Sequence, residues 1–213
     1  MVADLDFFFD PGCPWAWVTS RWVTEVVNQR QYEVQWKFIS LAMVNTDKGY
    51  KPNDDYHKTI HSFGLKALRV ASAARAAAGN EAVAKFYTAI GTMIHVQKNR
   101  DGYDTEPHKF LTNILASHSL PTAWADSFED ETHTALIREE TDLALSRTGK
   151  DVGTPILTFK PGQPNEGSFF GPVISKSPRG EQAVKLWDAV ELIATTSGVA
   201  ELKRSLRAPL DFS

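Results

Sequence analysis

The chain has 213 residues, 42% hydrophobic and 23% charged, enough for one large domain, or one domain with an insertion, around a real core. Its 23 basic and 26 acidic residues give a formal charge of −3 with no basic run, which excludes nucleic acid and anionic membranes as expected partners. No apolar stretch approaches the ~20 residues of a membrane span, and Met1-Val2-Ala3-Asp4 lacks the basic and apolar regions of a signal peptide. A single cysteine forms no internal disulfide, so a cytoplasmic, reducing location is expected.

The first forty residues read as strand, helix, strand. Leu5 to Phe9 is apolar apart from Asp6, as in a strand covered on both faces, and Tyr32 to Ile39 alternates through Val34, Trp36 and Phe38. Between them Pro14 suits a first helical position, and Val18, Trp22 and Val26 recur at the spacing of one buried face. Residues 53–148 change character and read as an all-helical insertion. One helix is expected across Leu65 to Ala78, stopping at Gly79-Asn80, and another places Val83, Phe86, Ile90 and Ile94 on one face. Pro121 reads as a helix start. The acidic run Glu129-Asp130-Glu131 ahead of Leu136 and Leu143, with Arg147 and Lys150 behind, follows the order a helix dipole prefers, and Gly149 closes that helix.

Strand character returns at Pro155-Ile156-Leu157-Thr158-Phe159. A turn-rich segment, 161–167, leads to Ser168-Phe169-Phe170, which makes an antiparallel hairpin. A last helix is expected from Ser177-Pro178, burying Leu186, Val190 and Ile193. The order βαβ, helices, ββα is a thioredoxin fold, residues 1–52 and 149–213, with a helical insertion domain, 53–148.

Cys13 falls where the first strand breaks at Pro11-Gly12 and the helix begins. A thiol in the first helical turn faces unpaired backbone N–H groups and the positive end of the dipole, which favour the thiolate, so Cys13 reads as a partly exposed, activated nucleophile. The bland alternative is a buried hydrophobe. His57 and His61 are one helical turn apart, but Lys58 stands where a zinc protease helix carries glutamate and no third ligand is apparent, so no metal is expected.

Several blocks in order, Phe9-Asp10-Pro11-Gly12-Cys13-Pro14-Trp15, Thr19-Ser20-Arg21-Trp22, Ser40-Leu41-Ala42-Met43-Val44-Asn45, Val152-Gly153-Thr154-Pro155 and Phe169-Phe170-Gly171-Pro172-Val173, carry a resemblance that spans essentially the whole chain. The chain resembles the DsbA-like thioredoxin-fold oxidoreductases, in particular the actinobacterial mycothiol-dependent nitroreductases and DsbA-like mycoredoxins. The resemblance implies mycothiol as cosubstrate, mycothiolated proteins or small electrophiles as partners, and reduction of nitroaromatic compounds as a further activity. It also implies that Thr154-Pro155 is the cis-proline element that meets a bound thiol and that Trp15 faces substrate. Asn45, Tyr56 and His95 are implied to line the cleft; read bare, they are a loop cap, a core-edge ring and a core histidine.

The family pattern is Cys-Pro-Trp-Cys, and here Ala16 replaces the second cysteine. A dithiol enzyme resolves its mixed disulfide with that second thiol, whereas Cys13 must wait for an external one. Ala16 reads either as a monothiol mechanism or as an engineered change that traps an adduct. Two other functional classes stand beside this: a kappa-class glutathione-transferase or isomerase enzyme, which typically carries serine at the cysteine position, and a redox-inactive binding module.

Overall fold

Strand β1, Leu5–Phe9, is buried at all five positions, as an apolar run without alternation requires. The computed structural model describes residues 3–213; Met1 and Val2, where the run read for a targeting signal begins, lie outside the described residues. Strand β2, Val34–Phe38, alternates buried and half-buried side chains. Strands β3, Ile156–Phe159, and β4, Gly167–Phe170, form the hairpin, and the sheet order is β2-β1-β3-β4. Both β1–β3 and β3–β4 are antiparallel, with Leu5 opposite Phe159 and Ile156 opposite Phe170. This is a DsbA-like thioredoxin-class α/β fold.

The chain packs as two compact units. One holds residues up to Phe9, Pro14–Lys37 and Leu145–Ser213; the other holds Asp10–Cys13 and Phe38–Ala144. Helix α2, Leu41–Lys48, packs on the next helix, and the end of α5, Thr134–Thr148, is tied by Arg147 to the sheet.

In the sheet unit, helix α1, Pro14–Gln29, buries Val18, Trp22 and Val26, with Pro14 at its first position. Helix α6 begins at Gly180, later than Ser177-Pro178, and ends at Thr195. Leu186, Val190 and Ile193 are only half-buried, and the stripe that sinks is Ala183 and Trp187. The reason is aromatic: Trp187 stacks on Tyr32 at 5.1 Å, meets Phe159 edge-on at 5.2 Å and tilts against Trp22 at 5.7 Å. The Trp22 indole N–H donates to the Ala183 carbonyl at 2.8 Å, which registers α1 on α6. One large ring therefore turns the helix toward itself and away from the smaller aliphatics.

In the helical unit, Ser40 caps α2, its hydroxyl accepting from the Met43 N–H. Helix α3, Asp55–Gly91, starts a full ten residues before Leu65, because Ile60 and Phe63 extend the apolar face backward. Its dihedrals break at Ala78 and Gly79, where φ of Gly79 is +78°, so the stop at Gly79 is a kink within a longer helix. A π-turn, Thr92–Val96, follows, then α4, Pro107–Ser117. After Pro121 the chain takes 3₁₀ turns over Thr122–Phe128 and Glu131–His133 in place of an α-helix, burying Trp124 and Phe128. Phe63 gathers Tyr103, Phe110 and Phe128 at 5.4, 6.0 and 5.7 Å as the centre of this unit. Glu140 is buried, accepting from the Phe38 N–H at 2.8 Å and pairing with Arg75 at 2.9 Å.

Asp6 is the one charged residue in β1 and is 3% exposed. Arg147 neutralises it at 2.8 Å and bridges on to Glu166 at 3.1 Å. Breaking a buried pair from one side strands the other charge, at a cost of ~3–5 kcal/mol. Arg147→Leu should therefore lower the urea midpoint with an unchanged slope, by about 3 kcal/mol of stability, and Asp6→Leu in the same chain should recover part of it. A loss below about 1 kcal/mol for the single variant would show that Asp6 does not depend on the pair.

Candidate active site

The residues Asp10-Pro11-Gly12-Cys13 link the end of β1 to the start of α1, and their geometry is set by one side chain. Asp10 is fully buried. Its Oδ1 accepts from the Gly12 N–H and its Oδ2 from the Leu41 N–H, both at 2.8 Å, while its carbonyl accepts from the Cys13 N–H at 3.0 Å. A short acidic side chain thus folds the turn over itself and pins it to the start of α2. Two glycines make room. A Cβ on Gly64 of α3 would lie 2.3 Å from Asp10 Oδ1, and one on Gly12 would lie 3.1 Å from the Ile60 carbonyl. From the other side His95 reaches the turn, its Nε2 bonding the Pro11 carbonyl at 2.9 Å.

The electrostatics of this cluster follow from its dryness. Burial pushes the Asp10 carboxyl up to about 7, against the pull of the Leu41 and Gly12 N–H groups. Burial holds His95 down at about 4, so the ring is neutral near pH 7; donation to a carbonyl puts its proton on Nε2. Tyr50 is pushed up, first by burial and then by the Asp10 and Asp54 charges facing it. Its hydroxyl meets His61 Nδ1 at 3.1 Å, and burial, followed by the His57 charge, lowers His61 to about 4.

Cys13 is 7% exposed, not partly open as the helix-start argument expected, because the pinned turn packs its backbone on α3. It still immediately precedes α1, whose first turn contains no acidic residue to oppose the positive end of the dipole. Ala16, three positions on, is fully buried. Trp15 between them is half-buried. In the sheet unit Thr154 is buried, its hydroxyl donating to the Phe8 carbonyl at 3.0 Å, and the Thr154–Pro155 peptide is cis. The Pro155 carbonyl accepts from Gly171 N–H at 2.8 Å, next to a second cis peptide, Gly171–Pro172, that the sequence reading passed over.

The remaining expected residues separate. His95 joins the Cys13 turn through Pro11. Asn45 spends its amide on its own helix, donating to the Leu41 carbonyl at 2.7 Å, and Leu41 is the residue whose N–H Asp10 holds. Tyr56 is 57% exposed, and its hydroxyl accepts from Arg100 at 2.9 Å. Arg100 also reaches the Ile94 carbonyl, beside His95, so Tyr56 connects to the turn only through that arginine. His57 and His61 do come together, rings 5.7 Å apart, yet His57 is held by Asp54 and His61 by Tyr50; among the described residues no group of three or more His, Cys, Asp or Glu is placed to hold a metal. Asp10 and Arg100 were missed. The Asp-Pro-Gly run signals a turn, and a turn's first aspartate bonding two residues on is a known preference that could have singled out Asp10; nothing comparable marks Arg100.

Fold and turn together define a chain of the thioredoxin class with one thiol at the strand-to-helix switch. Residues 12–204 match the Rv2466c-like family, described as mycothiol-dependent nitroreductase Rv2466c, and the chain belongs to that family. An uncharacterized protein of Mycobacterium tuberculosis (strain ATCC 25618 / H37Rv), Rv2286c, is 28% identical over 210 residues, 99% of this chain and 85% of its own length. Among solved structures, the cytosolic disulfide reductase DsbM from Pseudomonas aeruginosa with GSH superposes with a TM-score of 0.58 at 15% identity, covering 88% of this chain and 99% of its own. A 2-hydroxychromene-2-carboxylate isomerase superposes at 0.54 and 14% identity, covering 87% and 93%. At such identities the two share the fold. No helix among the described residues is long and apolar enough to cross a membrane.

The raised Asp10 pKa fixes a sign. Between the ordinary carboxylate value, 3.8, and about 7 the folded chain holds a proton on Asp10 that the unfolded chain has released, so this share of stability is lost as pH rises through that window. His61 and His95, depressed to about 4, act oppositely: their share is lost as pH falls from 6.5 toward 4. Asp10→Asn removes only the first contribution. The variant should be less stable than the parent, since its amide cannot accept from both N–H groups, but the gap in urea unfolding free energy should narrow between about pH 5 and about pH 8. A gap of constant size across that range would mean Asp10 does not titrate there.

Proposed function

We propose that the protein is a mycothiol-dependent thiol–disulfide oxidoreductase that works through Cys13 alone. The observation that carries this reading is a single thiol at the head of α1 in a chain of the mycothiol-dependent nitroreductase family, with alanine three residues on where a resolving cysteine would stand. The Cys13 thiolate attacks the mycothiol sulfur of a mixed disulfide, a Cys13–mycothiol disulfide forms, and the protein thiolate leaves. A second mycothiol attacks that adduct, releasing oxidised mycothiol as its disulfide and restoring the Cys13 thiolate. The attacking mycothiol sulfur is oxidised by one electron and gives up its proton, the protein sulfur is reduced by one and takes a proton up, and the mycothiol sulfur passed through Cys13 keeps its oxidation state. Reduction of nitroaromatic compounds would draw electrons from the same thiol pool, in a reducing cytoplasm where such a pool exists.

The other assignments rest on the family resemblance. Pro14 sets the helix start behind the thiol. Thr154 and Pro155 offer backbone atoms to a bound thiol, supported by the buried Thr154 hydroxyl that locks that segment to β1. Trp15 gives a ring face to the cosubstrate. His95 acts on the Cys13 turn, while Asn45 and Tyr56 contact cosubstrate from the helical unit.

Two variants test the mechanism. Cys13→Ser should fold and lose mixed-disulfide exchange entirely, and turnover above about 5% of the parent would place the nucleophile elsewhere. Ala16→Cys brings a second thiol to the first turn, within disulfide reach of residue 13. Added sulfur in a filled site should cost stability, about 1–3 kcal/mol in the reduced form. By intact mass, the mycothiol adduct that persists on the parent should disappear from Ala16→Cys without added thiol, replaced by an internal disulfide. An adduct equally stable in both chains would contradict the monothiol mechanism.

A further inference from the structure

After α6 the chain runs without helix or strand from Thr196 to Ser213, and residues 201–209 are exposed. This strap is nonetheless fastened. The Asp211 N–H donates to the Ser175 carbonyl at 2.7 Å, and Lys176 pairs with the Asp211 carboxylate at 2.7 Å, holding it well below the usual carboxylate range. Just before the anchor, the Arg207 guanidinium lies 5.3 Å from the centre of the Trp15 ring. Trp15 is two residues from Cys13, so a charge over its ring lies within a few residue lengths of the nucleophile. Arg207 falls beyond the residues matched to the family, 12–204.

Within the strap Glu201 pairs with Lys203 at 3.9 Å and Asp211 with Lys176. Residues 201–207 carry Lys203, Arg204 and Arg207 against Glu201 alone, in a protein whose formal charge is −3. Trp17 also bears a guanidinium, Arg21 at 4.1 Å, but Trp17 is 3% exposed and that pair belongs to the core. Trp15, by contrast, is half-buried. A guanidinium beside an aromatic face offers a planar ligand both stacking and paired N–H donors for a carboxylate or nitro group.

We infer that Arg207 is a specificity-determining residue for the electrophile that Cys13 attacks, favouring aromatic or other substrates that carry a carboxylate or similar anionic group. The inference rests on the thiol-exchange reading of Cys13 and concerns the oxidised substrate, leaving the reducing thiol open. Positive charge near a reaction site raises encounter with anionic partners and is screened by salt.

Two aryl disulfides of the same chemistry separate charge from reactivity. In each, the Cys13 thiolate attacks one sulfur, an aryl–Cys13 disulfide forms and a coloured aryl thiolate leaves. Dithiobis(nitrobenzoate) carries a carboxylate on each ring, and dithiodipyridine is neutral. The quantity read is the ratio of second-order rate constants, anionic over neutral, for the full chain at low and high salt. Arg207→Gln should lower that ratio about 3–10-fold at low salt, Arg207→Glu should lower it further, and Arg207→Lys should keep most of it. High salt should bring the parent ratio toward the Arg207→Gln value. A ratio that is the same in all four chains overturns the inference, and so does an equal rise in both rates on removing Arg207, which would make the strap a steric cover. If neither probe reacts with the parent, the thiol-exchange reading itself fails, a result distinct from either.

Discussion

Everything at the head of α1 depends on the Asp10 carboxyl being buried and doubly satisfied. Its two oxygens take N–H groups from Gly12 and Leu41, so the turn carrying Cys13 is fixed to the start of α2 within the same unit. Left unbonded, each of those donors would cost about 1–3 kcal/mol, so the side chain is needed in that place whatever its protonation state. The surrounding small residues follow from it. Gly64 lies so near Asp10 that any β-carbon would displace the carboxyl, and Gly12 is held against the Ile60 carbonyl. The His95 bond to Pro11 completes the enclosure from a third element.

The same enclosure sets how the thiol can react. A cysteine that is 7% exposed meets only a partner that reaches into the turn. Burial mutes the ionisable side chains at this turn: His95 is held down at about 4 and is neutral, and Asp10 is pushed up to about 7. Ala16, fully buried, keeps the volume a second thiol would occupy closed to solvent. With no resolving thiol in the chain, the lifetime of any adduct is governed by the concentration of external thiol.

How much of this was legible in the sequence varies with the kind of signal. Strands β1 and β2, the hairpin and the first position of α1 were legible because each is written in local pattern: a run, an alternation, a turn-rich break, a proline. Gly79 marked its kink through the one conformation only glycine takes freely. The buried stripe of α6 was misread because periodicity gave every aliphatic equal weight, while Trp187, with three aromatic neighbours, decided the rotation of the helix. At the site, the position of Cys13 between β1 and α1 was legible from the strand, the Pro-Gly break and Pro14. The burial of Cys13 and the role of Asp10 were not, because both depend on Leu41, Ile60, Gly64 and His95, which lie 28 to 82 residues further along the sequence.

The charges in and around the turn differ in reach, and that difference orders their roles. Asp10 is surrounded by protein on every side, so its ionisation is felt over a short, weakly screened distance by Tyr50 and by the N–H groups it holds. The Tyr50 hydroxyl in turn meets His61 Nδ1, and the His61 ring lies 5.7 Å from that of His57, itself paired with Asp54. Arg207 stands in water over Trp15, where its field is screened within about 10 Å at ordinary salt and is useful only to a ligand already at that ring. The interior side chain therefore holds the shape of the turn, and the exterior charge bears on which electrophile is presented to it.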